Sequence, residues 1–246
     1  MVKLFIGATL ALTLSSAPAF AQSISVDRPE MLRGRFLVEF DTFGINNSPG
    51  QDDTYAQEAL VAFTFTDAFR MGVGLIVEDG DAAPPRVGAY LAEMRFAGRS
   101  IASLPLSWGL AGTYVGGGPE GVNDLLRLRA SAAREIGPVT LLANLDALRE
   151  VGGGAATDTG VNLLLETQMP VGHAIKAALT YSGQLGADRS FLHLGAQGHY
   201  VGPTLYAFTP IGANSAIGLE TGVLLGLTDE SADAVGKVSL TWASQF

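Results

Sequence analysis

Residues Lys237–Phe246 read KVSLTWASQF, and their alternation decides the fold. Taken backwards in steps of two, Phe246, Ser244, Trp242, Leu240 and Val238 form one row, and Gln245, Ala243, Thr241, Ser239 and Lys237 form the other. The first row is largely apolar with two aromatic rings, and the second is small or polar. A period of two puts successive side chains on opposite faces of a strand. This strand therefore has one face in an apolar medium and one in a polar medium. The last residues of globular domains commonly fray in water, so a strand written through to the final residue asks for a different surrounding.

The opening stretch, MVKLFIGATLALTLSSAPAFAQS, has a basic start at Lys3, an apolar run from Leu4 to Leu14 and a small-x-small site at Ala19-Phe20-Ala21. That is the pattern of a cleaved secretory signal over residues 1–21, and its apolar run is too short for a membrane helix. The expected mature chain, residues 22–246, is a single domain. It carries 14 basic residues once Lys3 is removed from the 15, against 24 acidic ones. Such a balance excludes nucleic acid as a partner, because phosphate binding needs a basic patch. Cysteine is absent, so neither a disulfide framework nor a lipid-anchor cysteine is expected. The chain is 48% hydrophobic, yet no apolar stretch after residue 21 approaches the roughly 20 residues of a membrane helix. An exported chain of this kind is either a secreted β-domain or a membrane β-barrel.

Alternation along the whole chain separates the two. Phe36, Val38 and Phe40 oppose Arg33, Arg35, Glu39 and Asp41; Val61, Phe63 and Phe65 oppose Glu58 and Thr64; Tyr90, Met94 and Phe96 oppose Glu93 and Arg95. Further on, Leu126, Leu128 and Ala130 oppose Arg127, Arg129 and Ser131, and Leu141, Leu145 and Ala147 oppose Asn144, Asp146 and Glu150. Val161, Leu163 and Leu165 then oppose Asn162 and Glu166, Ile175, Leu179 and Tyr181 oppose Lys176 and Thr180, and Leu219, Val223 and Leu225 oppose Glu220. The connections also alternate. Longer acidic or Gly-rich ones (GINNSPGQDD, DGDAAPP, GGGPEGVND, GGGAATDTG, LGADRS, TDESADA) are interleaved with tight ones (TDA, AGRSIAS, IGP, MPVG, PIGANS). Residues 189–210 read as one long bulged strand or two short ones, with Gly202-Pro203 breaking the ladder locally. One strand there makes twelve in all, an even number, at about 19 residues per strand and connection, where a crossing takes roughly 9–11.

The chain resembles bacterial outer-membrane β-barrel proteins, many of which end in a strand whose terminal Phe and alternating apolar residues are read by the barrel-assembly machinery. Phe246, Trp242, Leu240 and Val238 match that pattern, while Ser244 departs from it. The resemblance implies an up-and-down antiparallel barrel in the outer membrane of a Gram-negative bacterium, in contact with its lipids. It also implies tight turns at the periplasmic rim and longer loops outside.

Motifs for catalysis are sparse, and no catalytic, cofactor or metal residue is assigned. His173 lies in a turn without a nucleophile nearby, and His193 and His199 read as bonded lumen or interface histidines. No His-x-Ser pair of the kind carried by outer-membrane phospholipases occurs. The Gly runs lack a following helix and Lys-Ser/Thr pair, so they are loop tips and not phosphate cradles. Attention falls on the polar face, the expected lumen, lined by Arg33, Arg35, Glu39, Asp41, Glu58, Glu93, Arg95, Arg127, Arg129, Asp146, Glu150, Glu166, Lys176 and Glu220. Other strands present Gly72, Gly74, Ser107, Gly109, Ala111, Gly218, Gly222, Gly226, Ser239 and Ala243. Small residues beside a charged wall suggest a narrow passive channel for small polar solutes. The alternative is a closed structural or surface-interaction barrel in which arginines cross the lumen to carboxylates. A lipid-modifying enzyme is the third reading. Oligomeric state is not legible.

Deleting Phe246 should leave the energetics of the folded barrel little changed but impair its assembly in cells. Quantifying outer-membrane protein by heat-modifiable mobility checks this. Unchanged levels would show that the terminal pattern is not read.

Overall fold

The computed structural model describes residues 28–29, 31–46, 54–80, 83–101, 104–116, 123–152, 155, 158–187 and 197–245. Twelve strands follow one another: β1 (Arg35–Asn46), β2 (Thr54–Thr66), β3 (Phe69–Gly80), β4 (Ala83–Ile101), β5 (Leu104–Gly116), β6 (Asp124–Ile136), β7 (Val139–Val151), β8 (Thr159–Pro170), β9 (Ile175–Ala187), β10 (His199–Ile211), β11 (Ser215–Gly226) and β12 (Ala234–Gln245). Each pairs antiparallel with its sequence neighbours, and β1 pairs with β12, so the sheet closes on itself. The closing seam runs from Arg35↔Gln245 to Asn46↔Ala234. No helix among the described residues is long and apolar enough to cross a membrane.

Every strand contributes to an exposed apolar belt: Phe40, Val61, Val73, Met94, Leu110, Leu128, Leu145, Leu165, Leu179, Leu205, Leu219 and Leu240 are all exposed. A continuous apolar surface around a whole molecule is incompatible with water and is what a lipid-facing barrel presents. Near one rim, Phe63, Phe65, Phe69 and Phe96 form a chain of ring contacts with centroids 5.0–5.9 Å apart, the arrangement of an interfacial aromatic girdle. Val238, Leu240 and Trp242 of the C-terminal pattern face outward in β12, and the Trp242 ring meets Phe36 edge-on across the seam at 5.9 Å. Phe246 lies outside the described residues, as do Asn47, Gly118, Gly153 and His193.

Connections at one rim cover residues 67–68, 102–103, 137–138, 171–174 and 212–214. Gly137 and Gly212 adopt positive φ (59° and 68°) there, a conformation that glycine reaches without steric penalty. At the other rim the connections are 47–53, 81–82, 117–123, 152–158, 188–198 and 227–233. One of these departs from the sequence reading. DGDAAPP is expected as a longer loop, but β3 runs on to Gly80 and β4 begins at Ala83, leaving two residues between them. The ladder tolerates Pro84 and Pro85 because the register shift at Glu78/Gly80 leaves them without Cα partners on β3. Likewise AGRSIAS is mostly strand, since β4 extends to Ile101.

The doubtful 189–210 region resolves into a single strand from His199, with residues 188–196 outside those described. Pairing of β10 with β9 is unbroken across Gly202↔Thr180 and Pro203↔Leu179. Pairing with β11 lapses between Val201↔Leu225 and Thr204↔Gly222. Proline has no N–H to give the ladder, and a side chain at Gly202 would collide with the Val223 carbonyl.

Gly202→Ala should therefore destabilise the barrel by about 1–3 kcal/mol through overpacking. Gly172→Ala, where an added β-carbon meets nothing within 4 Å, should change stability by less than about 0.5 kcal/mol. Urea unfolding in detergent, followed by Trp fluorescence, compares the two.

Candidate functional site in the barrel lumen

Twelve strands at about 4.8 Å spacing, tilted by about 40°, give a circumference of roughly 75 Å and a backbone diameter of roughly 24 Å. A side chain from one wall cannot alone reach the other, so what lines the walls and what enters the lumen decide its character. The even–odd alternation puts the charged rows inside. Glu93, Arg95, Arg129, Asp146, Glu150 and Glu166 are buried, and Arg35, Glu39, Asp41, Glu58, Arg127, Lys176 and Glu220 are partly buried. Arg33 is the exception. It precedes β1 in a turn, is exposed, and its backbone N–H donates to Asp67 Oδ1 at 3.1 Å.

The ion pairs follow the wall. Arg129 grips Asp146 with both Nε and Nη2 at 2.6 Å, two residues that face each other directly on β6 and β7. Arg70 of β3 and Arg95 of β4 flank Glu93 at 2.8 and 3.2 Å. Lys237 of β12 is paired with Glu220 of β11. Each pair joins adjacent strands or alternate positions of one strand. Arg127, a candidate in the closed-barrel reading for pairing with a carboxylate, instead lies 3.4 Å from Thr113 Oγ1 on β5 and has no carboxylate partner among the described residues. Glu150 accepts from Asn123 Nδ2 at 2.9 Å.

A second network covers β8 to β12. Glu166 accepts from Gln168 Nε2 (2.6 Å), Thr180 Oγ1 (2.6 Å) and Tyr206 Oη (2.7 and 2.8 Å to its two oxygens). Tyr206 also lies 3.3 Å from Glu220, and Thr180 shares a hydrogen bond of 2.8 Å with Thr204. Tyr206 is the lumen residue that sequence reading passed over; Arg70, Gln168 and Lys237 stand in polar rows of the sequence but outside the expected lumen wall. Tyr206 lay in the doubtful segment, and its alternation with Thr204 becomes visible only once Pro203 is accepted inside a strand. Lys237 already sat in the polar row of the final strand.

The row of small residues does not stand empty. Leu60 covers Gly72, its Cδ1 being 2.9 Å from where a β-carbon would lie; Leu91 stands 3.1 Å from the same point on Gly74. Thr204 and Lys237 cover Gly222, and Ser231 covers Gly226. Leu37, Leu60, Ile76, Leu91 and Val115 build an apolar lumen patch on β1 to β5. Sequence reading placed them on neither face, because runs such as Phe36-Leu37-Val38 are apolar at consecutive positions and hide the period of two.

The remaining histidines are structural in their contacts. His199 Nδ1 bonds Tyr181 Oη at 2.7 Å, while Ser231 Oγ engages the backbone N–H and C=O of His199 rather than its ring. His173 is exposed in the 171–174 turn. Among the described residues no group of three or more His, Asp or Glu is arranged to hold a metal ion.

Two comparisons find nothing: no family model matches the chain, and no curated protein does. Solved structures do match. An outer membrane channel of the COG4313 group from Pseudomonas putida F1 superposes with a TM-score of 0.61 at 13% identity, covering 90% of this chain and 100% of the channel. The KdgM porin, solved with disordered oligogalacturonate, superposes at 0.54 with 9% identity, covering 85% of this chain and 99% of the porin. At these identities the likeness concerns the barrel itself.

Arg129→Ala would leave Asp146 buried and unpaired, which should lower the unfolding free energy by about 3–5 kcal/mol. Replacing both, as Arg129→Met with Asp146→Leu, should recover most of that loss. Equal destabilisation of the single and double variants in urea would show that the pair is not what holds this wall.

Proposed function

We propose that this protein is a narrow passive channel of the outer membrane for small polar solutes. The observation that carries the reading is the direction of the ion pairs. Arg70–Glu93, Arg95–Glu93, Arg129–Asp146 and Lys237–Glu220 run along the wall between near neighbours, not from wall to wall. Charges arranged this way line a path without strutting it shut, and mixed signs give weak selectivity. The match to two barrels described as a channel and a porin supports the same reading, and the exposed apolar belt supports the membrane location. Strand number, tight turns at one rim and the C-terminal alternation fit a Gram-negative outer membrane.

The closed-barrel reading has its own support in the burial of the walls: Asn144, Thr180 and Thr204 are fully covered. The covering comes in part from neighbours on the same wall, such as Lys237 and Leu60 above. It also comes from the segment before β1, whose buried Pro29 lies against Gly109 of β5.

Planar-bilayer conductance of the purified mature chain tests the channel. The wild type should give steady ohmic current, and Arg127→Glu should shift reversal potentials toward cations while the current persists, because Arg127 is a lumen cation whose contact is a hydroxyl, Thr113 Oγ1, and not a carboxylate. A silent wild type overturns the channel. An unchanged selectivity would remove Arg127 from the path.

A further inference from the structure

The segment before β1 does not hang from the rim. Pro29 is fully buried and Met31 nearly so. A β-carbon added at Gly109 of β5 would stand 3.2 Å from Cβ of Pro29, which places Pro29 against the lumen face of β5. Arg28, one residue earlier, donates from Nη2 to Gln168 Oε1 on β8. Counting around the barrel, β8 lies five strands from β1 by way of β12, and β5 lies four strands from β1 by way of β2. The segment that leads into β1 therefore crosses the lumen and touches the far wall.

What it touches there has the chemistry of a cation seat. Glu166 is 2% exposed, and the hydrogen bonds it accepts all come from neutral groups: Gln168, Thr180 and Tyr206. A buried carboxylate is stable only when a positive charge or a full set of donors compensates it. Gln168 joins the two halves of the arrangement, donating its amide to Glu166 and offering its carbonyl to the Arg28 guanidinium. The positive charge nearest this carboxylate along its hydrogen-bond network thus arrives from outside the sheet, on a segment not fixed by the strand ladder.

We infer that Gln168, whose amide is fixed by the buried Glu166 and its Thr180–Tyr206 network, offers a lumen seat for a guanidinium group, occupied by the chain's own Arg28 and open to a guanidinium-bearing solute when Arg28 leaves. Arg28 acts as an internal ligand that holds the segment across the lumen, and the amide carbonyl of Gln168, with the charge of Glu166 one hydrogen bond behind it, favours a multidonor cation over an anion. As a statement about the solutes of a channel it rests on the function proposed above; the seat itself does not.

The position of the segment is tested first. The chain has no cysteine, and the Pro29–Gly109 approach is a few tenths of an ångström under the usual 3.5–4.5 Å span between disulfide β-carbons. Oxidised Pro29→Cys/Gly109→Cys barrel should therefore form an intramolecular bridge, seen as a reductant-sensitive mobility change after denaturation. Absence of the bridge in folded barrel overturns the inference. Ligand class is tested by calorimetric titration of methylguanidinium into detergent-solubilised Arg28→Ala. Binding at least tenfold weaker to the wild type, and lost in Arg28→Ala/Glu166→Gln, is the expected result. Arg28→Ala/Gln168→Met serves as a second double variant should the first fail to show heat-modifiable mobility. No binding to Arg28→Ala, or equal binding to the double variants, overturns the seat. The conductance of Arg28→Ala separates the two ideas: binding without current retains the seat and sinks the channel, and current without binding does the reverse.

Discussion

In lipid, an unpaired backbone N–H or C=O has no water to turn to and costs several kcal/mol. The seam between β1 and β12 answers that constraint, and the rest of the molecule depends on it. Twelve residues of each strand pair without interruption from Arg35↔Gln245 to Asn46↔Ala234. The same strand that carries the outward Val238, Leu240 and Trp242 presents Lys237 and Ser239 to the lumen. Because side chains alternate with a period of two, closing the seam in this register fixes which face of both strands meets lipid. A slip of one residue would put Lys237 in the bilayer. The Trp242–Phe36 contact across the seam and the Asp41↔Ser239 register pair inside it are two consequences of one alignment.

Local departures from the ladder occur where the sequence cannot supply a donor or a side chain. At Gly202-Pro203 the missing N–H faces β11 while pairing to β9 goes on, so the barrel keeps its register around a gap. At Pro84-Pro85 a register shift absorbs the same defect near a rim. The glycines of β3, β5 and β11 serve a related purpose. They make room for side chains of neighbouring elements, among them Leu60, Lys237 and Pro29, to lie flat over the backbone. The lumen is therefore narrower than the count of small residues suggests.

Charge inside such an enclosure is held by geometry more than by number. Asp146 accepts two short bonds from one guanidinium, a bidentate arrangement that offsets much of its desolvation. Glu93 stands between two arginines. Glu166 differs in kind, since hydroxyls and an amide surround it, and its link to a cation passes through Gln168 to Arg28. The wall is thus stabilised in three dialects: a pair, a triad, and a polar cradle completed by a segment from outside the sheet.

The sequence alone determined the barrel. Outward rows were legible in every strand but β10, because lipid demands an apolar residue at every second position, and that demand is written locally, strand by strand, in stretches such as LTW and FTF. Most of the lumen charges were legible for the same reason, as the complement of those rows. The partners of those charges were not. Whether Arg127 meets Asp146 or Thr113 depends on inter-strand register and on which neighbour leans over the gap, and a stagger of two residues decides it. The apolar lumen patch was hidden because three consecutive apolar residues carry no parity. The crossing of the lumen by Arg28 and Pro29 was hidden more deeply, since nothing in Arg28-Pro29-Glu30-Met31 records that Gly109 and Gln168 stand opposite. Only closure of the sheet brings residues that far apart in sequence within reach, because a closed barrel has an inside for the chain to enter.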